Sequence, residues 1–278
     1  MRWEELSRLA IKVRRDILVS TNLIGSGHPG GSLSCVEILI VLYFKHLRVD
    51  PSNSLWEDRD YFILSKGHAA PALYSVLAYR GFFPHEEIYT LRRFKSKLQG
   101  HPNRLTTCGV EVSTGSLGQG FSIACGIAAG LKLKGKKLQR VYVVLGDGEI
   151  QEGQVWEAAM SASHYKLDNL IAILDYNKLQ IDGRVNEVMN LEPLVQKWEA
   201  FGWEVVEVDG HSFEELDKAI SFLKERNNLK PHIIIAHTIK GKGISFMEHQ
   251  LKYHGKPLTN EELVKALEEL EKYEERVS

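Results

Sequence analysis

From Arg140 onward the chain alternates short, unbroken apolar runs with segments of helical period, and this alternation narrows the folds open to it. Val141-Tyr142-Val143-Val144-Leu145 is closed by Gly146, and Leu170-Ile171-Ala172-Ile173-Leu174 is closed by Asp175. Trp203 to Val208 and His232 to Ala236 are the third and fourth runs. Helical patterns fill the gaps at Gln154 to Tyr165, Leu194 to Phe201 and Phe213 to Lys224. A strand that is apolar on both faces must be covered on both, as a parallel sheet between helical layers is. The expected fold is α/β, a parallel sheet with helices on both faces and a helical N-terminal part.

In that N-terminal part, Leu6, Leu9, Ile11, Val13, Ile17 and Leu18 mark an amphipathic helix ending before the loop Gly25-Ser26-Gly27-His28-Pro29-Gly30-Gly31. Further helices are expected from Ser34 to about His46, from about Pro71 to Tyr79 with Gly81 as the stop, and from Glu261 to Arg276. The most apolar stretch, Leu117 to Leu133, is broken by Gln119, Ser122 and several glycines and carries Lys132. A bilayer span needs roughly 20 apolar residues, so this stretch is read as a buried helix. With 278 residues, no repeat and no Pro/Ser-rich linker, a single domain over 1–278 is expected. A net charge of -1 argues against nucleic acid or an anionic membrane as the main partner. Three cysteines (Cys35, Cys108, Cys125) without a CxxC pair, and no targeting segment at the N-terminus, suggest a reducing compartment, the cytoplasm.

The chemistry is concentrated where the strands run out. Gly146-Asp147-Gly148 follows the first run, and open parallel sheets bind ligands beyond the carboxyl ends of their strands. Glycines there admit a phosphate to the backbone, and Asp147 offers a hard oxygen to a divalent cation. Gly-Asp-Gly alone is also an ordinary turn. The second run, however, leads into Asp175-Tyr176-Asn177-Lys178, and adjacent strands lie about 4.8 Å apart. Asn177 can then sit beside Asp147, and a carboxylate, an amide oxygen, a loop carbonyl and diphosphate oxygens make a cage for Mg²⁺ or Ca²⁺. A GxxGxG order after Ser113, with no clear strand before it, does not meet the dinucleotide-binding pattern.

Gly146-Asp147-Gly148-Glu149-Ile150-Gln151-Glu152-Gly153, followed by Asn177, resembles the metal-diphosphate signature of thiamine-diphosphate enzymes. Ser26-Gly27-His28-Pro29-Gly30, Ser65-Lys66-Gly67-His68, Gly100-His101-Pro102 and Ser113 to Gly120 narrow the resemblance to transketolase. Thr238-Ile239-Lys240-Gly241-Lys242-Gly243 and Tyr253-His254-Gly255-Lys256-Pro257-Leu258 complete a set in the family's order along nearly the whole chain. The resemblance implies that Asp147, Asn177 and the carbonyl of Leu179 hold the metal, and that Gly148, His68 and Asn177 meet the diphosphate. It places Gly115, Ser116 and Leu117 near the aminopyrimidine, and His28, His101 and His254 at the sugar and the reacting carbon. Histidine suits proton donation near neutral pH. Glu152 and Glu157 are either ordinary acidic residues in a first helical turn or, by the resemblance, carboxylates linking two active sites across a subunit interface. Lys240 and Lys242 either help hold phosphate or are solvated loop lysines, and His211 in Asp209-Gly210-His211 is read as structural.

The resemblance also implies thiamine diphosphate with Mg²⁺ (or Ca²⁺) and transfer of a two-carbon ketol unit between sugar phosphates in the pentose phosphate pathway. Family members need a glutamate from a pyrimidine-binding domain, and no second strand-helix series follows His254. The expectation is therefore a single diphosphate-binding domain that works with a C-terminal transketolase subunit, in a dimer of heterodimers. The alternatives are half of a 1-deoxyxylulose-5-phosphate synthase-like or dihydroxyacetone synthase-like enzyme, or a non-catalytic cofactor-binding module.

Overall fold

The computed structural model describes residues 1–277, with side chains to 275. Its centre is a five-stranded, wholly parallel sheet of β1 (Tyr61–Leu64), β2 (Val141–Gly146), β3 (Leu170–Tyr176), β6 (Glu204–Asp209) and β7 (His232–His237), in the order β1-β2-β3-β7-β6. A two-stranded hairpin, β4 (Leu179–Gln180) with β5 (Gly183–Arg184), follows β3. The helices are α1 (Trp3–Ile24), α2 (Pro29–Leu33), α3 (Val36–Val41), α4 (Ala70–Arg80), α5 (Gln119–Leu133), α6 (Gly153–His164), α7 (Val185–Val188), α8 (Leu194–Ala200), α9 (Phe213–Glu225) and α10 (Asn260–Val277).

Alternation along the central strands divides the core in two. Tyr142, Val144, Ile171, Ile173, Ile234 and Ala236 pack with residues of α1, α3, α4 and α9 on one face. Val141, Val143, Leu145, Leu170, Ala172, Leu174, Ile233 and Ile235 pack with α5, α6 and α8 on the other. Each Val, Leu or Ile among them contributes roughly 1.5–3 kcal/mol by leaving water, which is why the runs had to be apolar without interruption. No helix among the described residues is long and apolar enough to cross a membrane.

Four local differences from the sequence reading have physical reasons. The run from Trp203 to Val208 is β6, an edge strand paired with β7 alone; its residues are mostly half-buried and Glu207 is exposed. The opposite edge, β1, lies within the part read as helices and loops, because four residues show no period. The glycine loop turns helical at Pro29, whose fixed φ suits the first helical position. And α5 is covered on one face only, through Phe121, Ala124, Cys125 and Ala128, while Ile123 and Leu133 are exposed. It lies in an outer layer, so half of an apolar helix faces outward.

Candidate active site

Pairing of β2 with β3 sets Gly146 opposite Asp175, so both strands deliver their loops at the same height. Asp147 and Asn177 leave these tips into one cavity of about 280 Å³ at the carboxyl end of the sheet. The cavity is also lined by His28, His68, His101, His254, Gly115, Leu117, Gly148 and Leu179, brought in by loops from distant parts of the chain. Ten of the expected site residues therefore converge. Ser116 and Glu152 do not: neither lines the cavity and both are exposed. Glu152 stands at the N-cap position of α6 without a side-chain capping bond, and Glu157 on the same helix is likewise exposed.

Asp147 is almost fully buried, with Oδ1 accepting the N–H of Gly148 (2.8 Å) and Oδ2 that of Lys178 (2.5 Å). Burial and the nearby charge of Asp175 push its carboxyl up to about 6, against the pull of Lys240 and the two N–H groups. Asn177 Oδ1 accepts the N–H of Leu179 at 3.1 Å. Buried Lys240 donates from Nζ to the Leu179 carbonyl at 3.1 Å, and burial lowers its ammonium to about 8.

His28, His68 and His254 are mutual neighbours, and His101 joins them through His28. His28 lies 5.3 Å from His68, 6.3 Å from His101 and 5.6 Å from His254 between centroids, and His68 lies 5.4 Å from His254. Burial, then Arg92, pulls His28 down to about 4; burial, then Lys240, pulls His254 down to about 3. His68 and His101 are lowered by burial and then by Lys66 and Arg92 respectively. At neutral pH the cluster is thus uncharged, each ring offering one N–H and one lone pair. Among the described residues, Nδ1 of His28 and Nδ1 of His254 are buried without a hydrogen-bond partner, as expected of groups waiting for a ligand.

A model of the family described as "Transketolase, thiamine diphosphate binding domain" matches residues 8–274. The chain belongs to the transketolase family. It is similar to the 6-deoxy-6-sulfo-D-fructose transketolase subunit SqwG of Clostridium sp. (strain MSTE9), with 46% identity over 96% of this chain and 97% of that protein. It is also similar to one of the apulose-4-phosphate transketolase subunits of Actinobacillus succinogenes, with 44% identity over 96% of each. Human transketolase is 44% identical over 92% of this chain, which spans 40% of that longer protein. The crystal structure of Campylobacter jejuni transketolase superposes with a TM-score of 0.91 at 38% identity, covering 98% of this chain and 43% of that one.

Within this transketolase fold, the floor of the cavity holds groups that the motifs concealed. Lys66, almost fully buried, donates to Asp175 and to the Gly31 carbonyl (2.8 Å), and Asp175 also accepts from Ser34 (2.6 Å) and Thr238. Glu149 ties three elements together, accepting from Ser65 Oγ (2.5 Å) after β1, Gly146 N (3.0 Å) on β2 and Gly118 N (2.8 Å) before α5. In the sequence, Lys66 and Glu149 stand within the motifs without an assigned role, and Asp175 follows an otherwise apolar run. Lys240, left open between two readings, is a buried cavity residue; Lys242 is only partly buried, 3.5 Å from Glu248, and does not line the cavity. His211 bridges Glu37 and the Ile239 amide, a structural placement.

The donors fit the groups that the family implies. Asp147, Asn177 and the Leu179 carbonyl are hard oxygen ligands suited to Mg²⁺ or Ca²⁺, and a cation there would relieve the buried Asp147 charge. Lys66 and Lys240 add two buried ammonium groups to the same cavity, where a diphosphate would carry compensating charge.

Proposed function

We propose that this chain is the thiamine-diphosphate-binding subunit of a two-subunit transketolase, moving a two-carbon ketol unit from a ketose phosphate to an aldose phosphate. The observation that carries this reading is the single cavity lined together by Asp147, Asn177, two buried lysines and the histidines His28, His101 and His254. Relatives named as separate subunits match the chain end to end, which supports a two-chain enzyme. The partner in this reading carries the pyrimidine-binding domain, two pairs assemble as a dimer of heterodimers, and the enzyme works in the cytoplasm.

Bound in this cavity, thiamine diphosphate would supply the carbanion chemistry of its thiazolium ring. Asp147, Asn177 and the Leu179 carbonyl would hold Mg²⁺ or Ca²⁺ against the diphosphate, with Gly148, His68, Lys66 and Lys240 around it. His28, His101 and His254 have the roles of orienting the sugar and of giving or taking protons at its carbonyl and hydroxyl oxygens. Being uncharged, they do so without repelling the lysines beside them. The loops around them leave His28 and His254 half-buried, which strengthens the hydrogen bonds these two make, while His101 is exposed.

The test is ketol transfer from xylulose 5-phosphate by the purified chain, alone and with its complementary chain, with thiamine diphosphate and Mg²⁺. Parallel arms use apulose 4-phosphate and 6-deoxy-6-sulfofructose, since relatives bear those names. Turnover only with both chains is expected. Robust turnover by the isolated chain, or an assembled pair that does not bind thiamine diphosphate, would overturn the proposal.

A further inference from the structure

The turn Asp209-Gly210-His211 leaves β6 outside the cavity, yet its histidine points into the protein rather than into solvent. Asp209 Oδ1 accepts the N–H of His211 at 2.8 Å and shapes the turn. Nε2 of His211 accepts the backbone N–H of Ile239 at 2.9 Å, so the ring proton sits on Nδ1 and is donated to Glu37 Oε2 at 3.0 Å. Glu37 Oε1 accepts from Arg14 Nη2 at 2.6 Å, and Arg14 Nε donates to the Lys242 carbonyl at 3.0 Å. These bonds form a closed circuit, leaving the loop at Ile239 and rejoining it at Lys242. Arg14 and Glu37 are buried, and a Cβ on Gly243 would come within 2.7 Å of Arg14 Nε, so the loop is pressed against the circuit.

Lys240 is the residue this circuit encloses. Its side chain is almost fully buried, runs from the clamped turn into the cavity, and ends at the Leu179 carbonyl beside Asp147. A lysine stem has four rotatable bonds, and fixing it costs more rotamer freedom than fixing most side chains. The backbone it starts from must therefore be held firmly if the ammonium is to stay at one point. Further backbone anchors of the turn are Gly241 N to the Gly30 carbonyl and His249 N to the Lys240 carbonyl, both 3.0 Å, and Ile244 N to the Gly241 carbonyl at 3.4 Å. The His211 circuit grips it from the β6 side.

We propose that His211 is a positioning residue: through the Ile239 amide it sets the turn that delivers the Lys240 ammonium to the diphosphate end of the cavity. This rests on the reading of the cavity as the thiamine-diphosphate site. The rival role, in which His211 serves only to satisfy the buried Glu37 carboxylate, makes the opposite forecast for two conservative variants. In His211→Gln an amide oxygen can reach the Ile239 N–H; in His211→Asn an amide N–H can reach Glu37 but nothing reaches Ile239.

The experiment measures thiamine diphosphate affinity by calorimetry in the assembled two-chain enzyme with Mg²⁺, alongside the chemical denaturation midpoint of each variant. His211→Asn is expected to weaken binding about tenfold, the equivalent of about 1.4 kcal/mol, while His211→Gln keeps most of the affinity. In a Lys240→Ala background, His211→Asn should cost nothing further, because both changes act through one group. Affinity unchanged by His211→Asn, better affinity for Asn than for Gln, or losses that add in the Lys240→Ala background would each overturn the inference. Glu37→Gln enters the same cycle should His211→Asn not fold, and an additive loss there overturns it equally. Failure of the unmodified enzyme to bind thiamine diphosphate would instead overturn the site reading itself.

Discussion

Replacing Asp147 by Asn should remove a pH-dependent cost from the cation-free chain while weakening its cation site. Burial and the Asp175 charge raise the Asp147 carboxyl from 3.8 to about 6 in the folded chain. Because the folded pKa lies above the unfolded one, the folded chain holds this proton longer as pH rises. The corresponding stability is fully present below about pH 4 and is lost as pH passes through about 6. At about 1.4 kcal/mol per pKa unit, the ionised carboxylate costs the fold up to about 3 kcal/mol above pH 7. Asn carries no charge and removes that cost, but its one acceptor oxygen cannot serve both the Gly148 and the Lys178 N–H, a loss of about 1–3 kcal/mol at every pH. The two effects nearly offset each other at pH 8, so the expected signal is the change of the difference with pH. Urea denaturation of both proteins at pH 8 and pH 4.5, without divalent cations, measures it. Relative to the parent, the variant should gain about 2 kcal/mol between pH 4.5 and pH 8. In the assembled enzyme with Mg²⁺ and thiamine diphosphate the parent should be the more stable, since a carboxylate gains more from the cation than a neutral amide does. A stability difference that does not change between the two pH values would refute the reasoning.

Three further outcomes follow from the same packing. His28 and His254, lowered to about 4 and about 3 by burial and then by Arg92 and Lys240, should stay uncharged through pH 5 in an NMR titration. Their folded pKa values lie below the unfolded 6.5, so the stability they contribute is present above pH 6.5 and declines as pH falls towards 4; titration of either near 6.5 would contradict the packing. Lys66→Met should destabilise the chain by about 3–5 kcal/mol by stranding the buried Asp175 charge, and adding Asp175→Asn should recover part of it in denaturation curves. Gly67→Ala should weaken thiamine diphosphate binding with a smaller effect on unfolding. Its Cβ would lie 2.9 Å from Gly115 N, driving the His68 loop away from the Gly115 loop, and calorimetry checks it.

The sheet and its chemistry were legible because both are local. A strand covered on two faces has to be apolar throughout, so β2, β3 and β7 announced themselves, and Gly146-Asp147-Gly148 stands at the end of β2. Asn177 was readable because adjacent strands in register bring their tips together, and the histidine loops because each carries a short motif. Short or half-covered elements were harder to read: β1 is too brief to show a period, and α5 has an apolar composition that does not tell which face is covered.

What the tertiary structure alone decided are the relations between residues far apart in the chain. Asp175 resembles a strand terminator until Lys66, 109 residues away, is found bonded to it. Glu149 becomes a junction only where β1, β2 and the start of α5 meet. Lys240 and Lys242 are two residues apart, yet only Lys240 has its ammonium buried in the cavity, because the turn between Ile239 and Lys242 points one side chain in and the other away. Residue type and spacing along the chain specify which groups a segment carries and how its backbone is paired. Burial and charge environment belong to the space between segments, and these decide which of those groups can act.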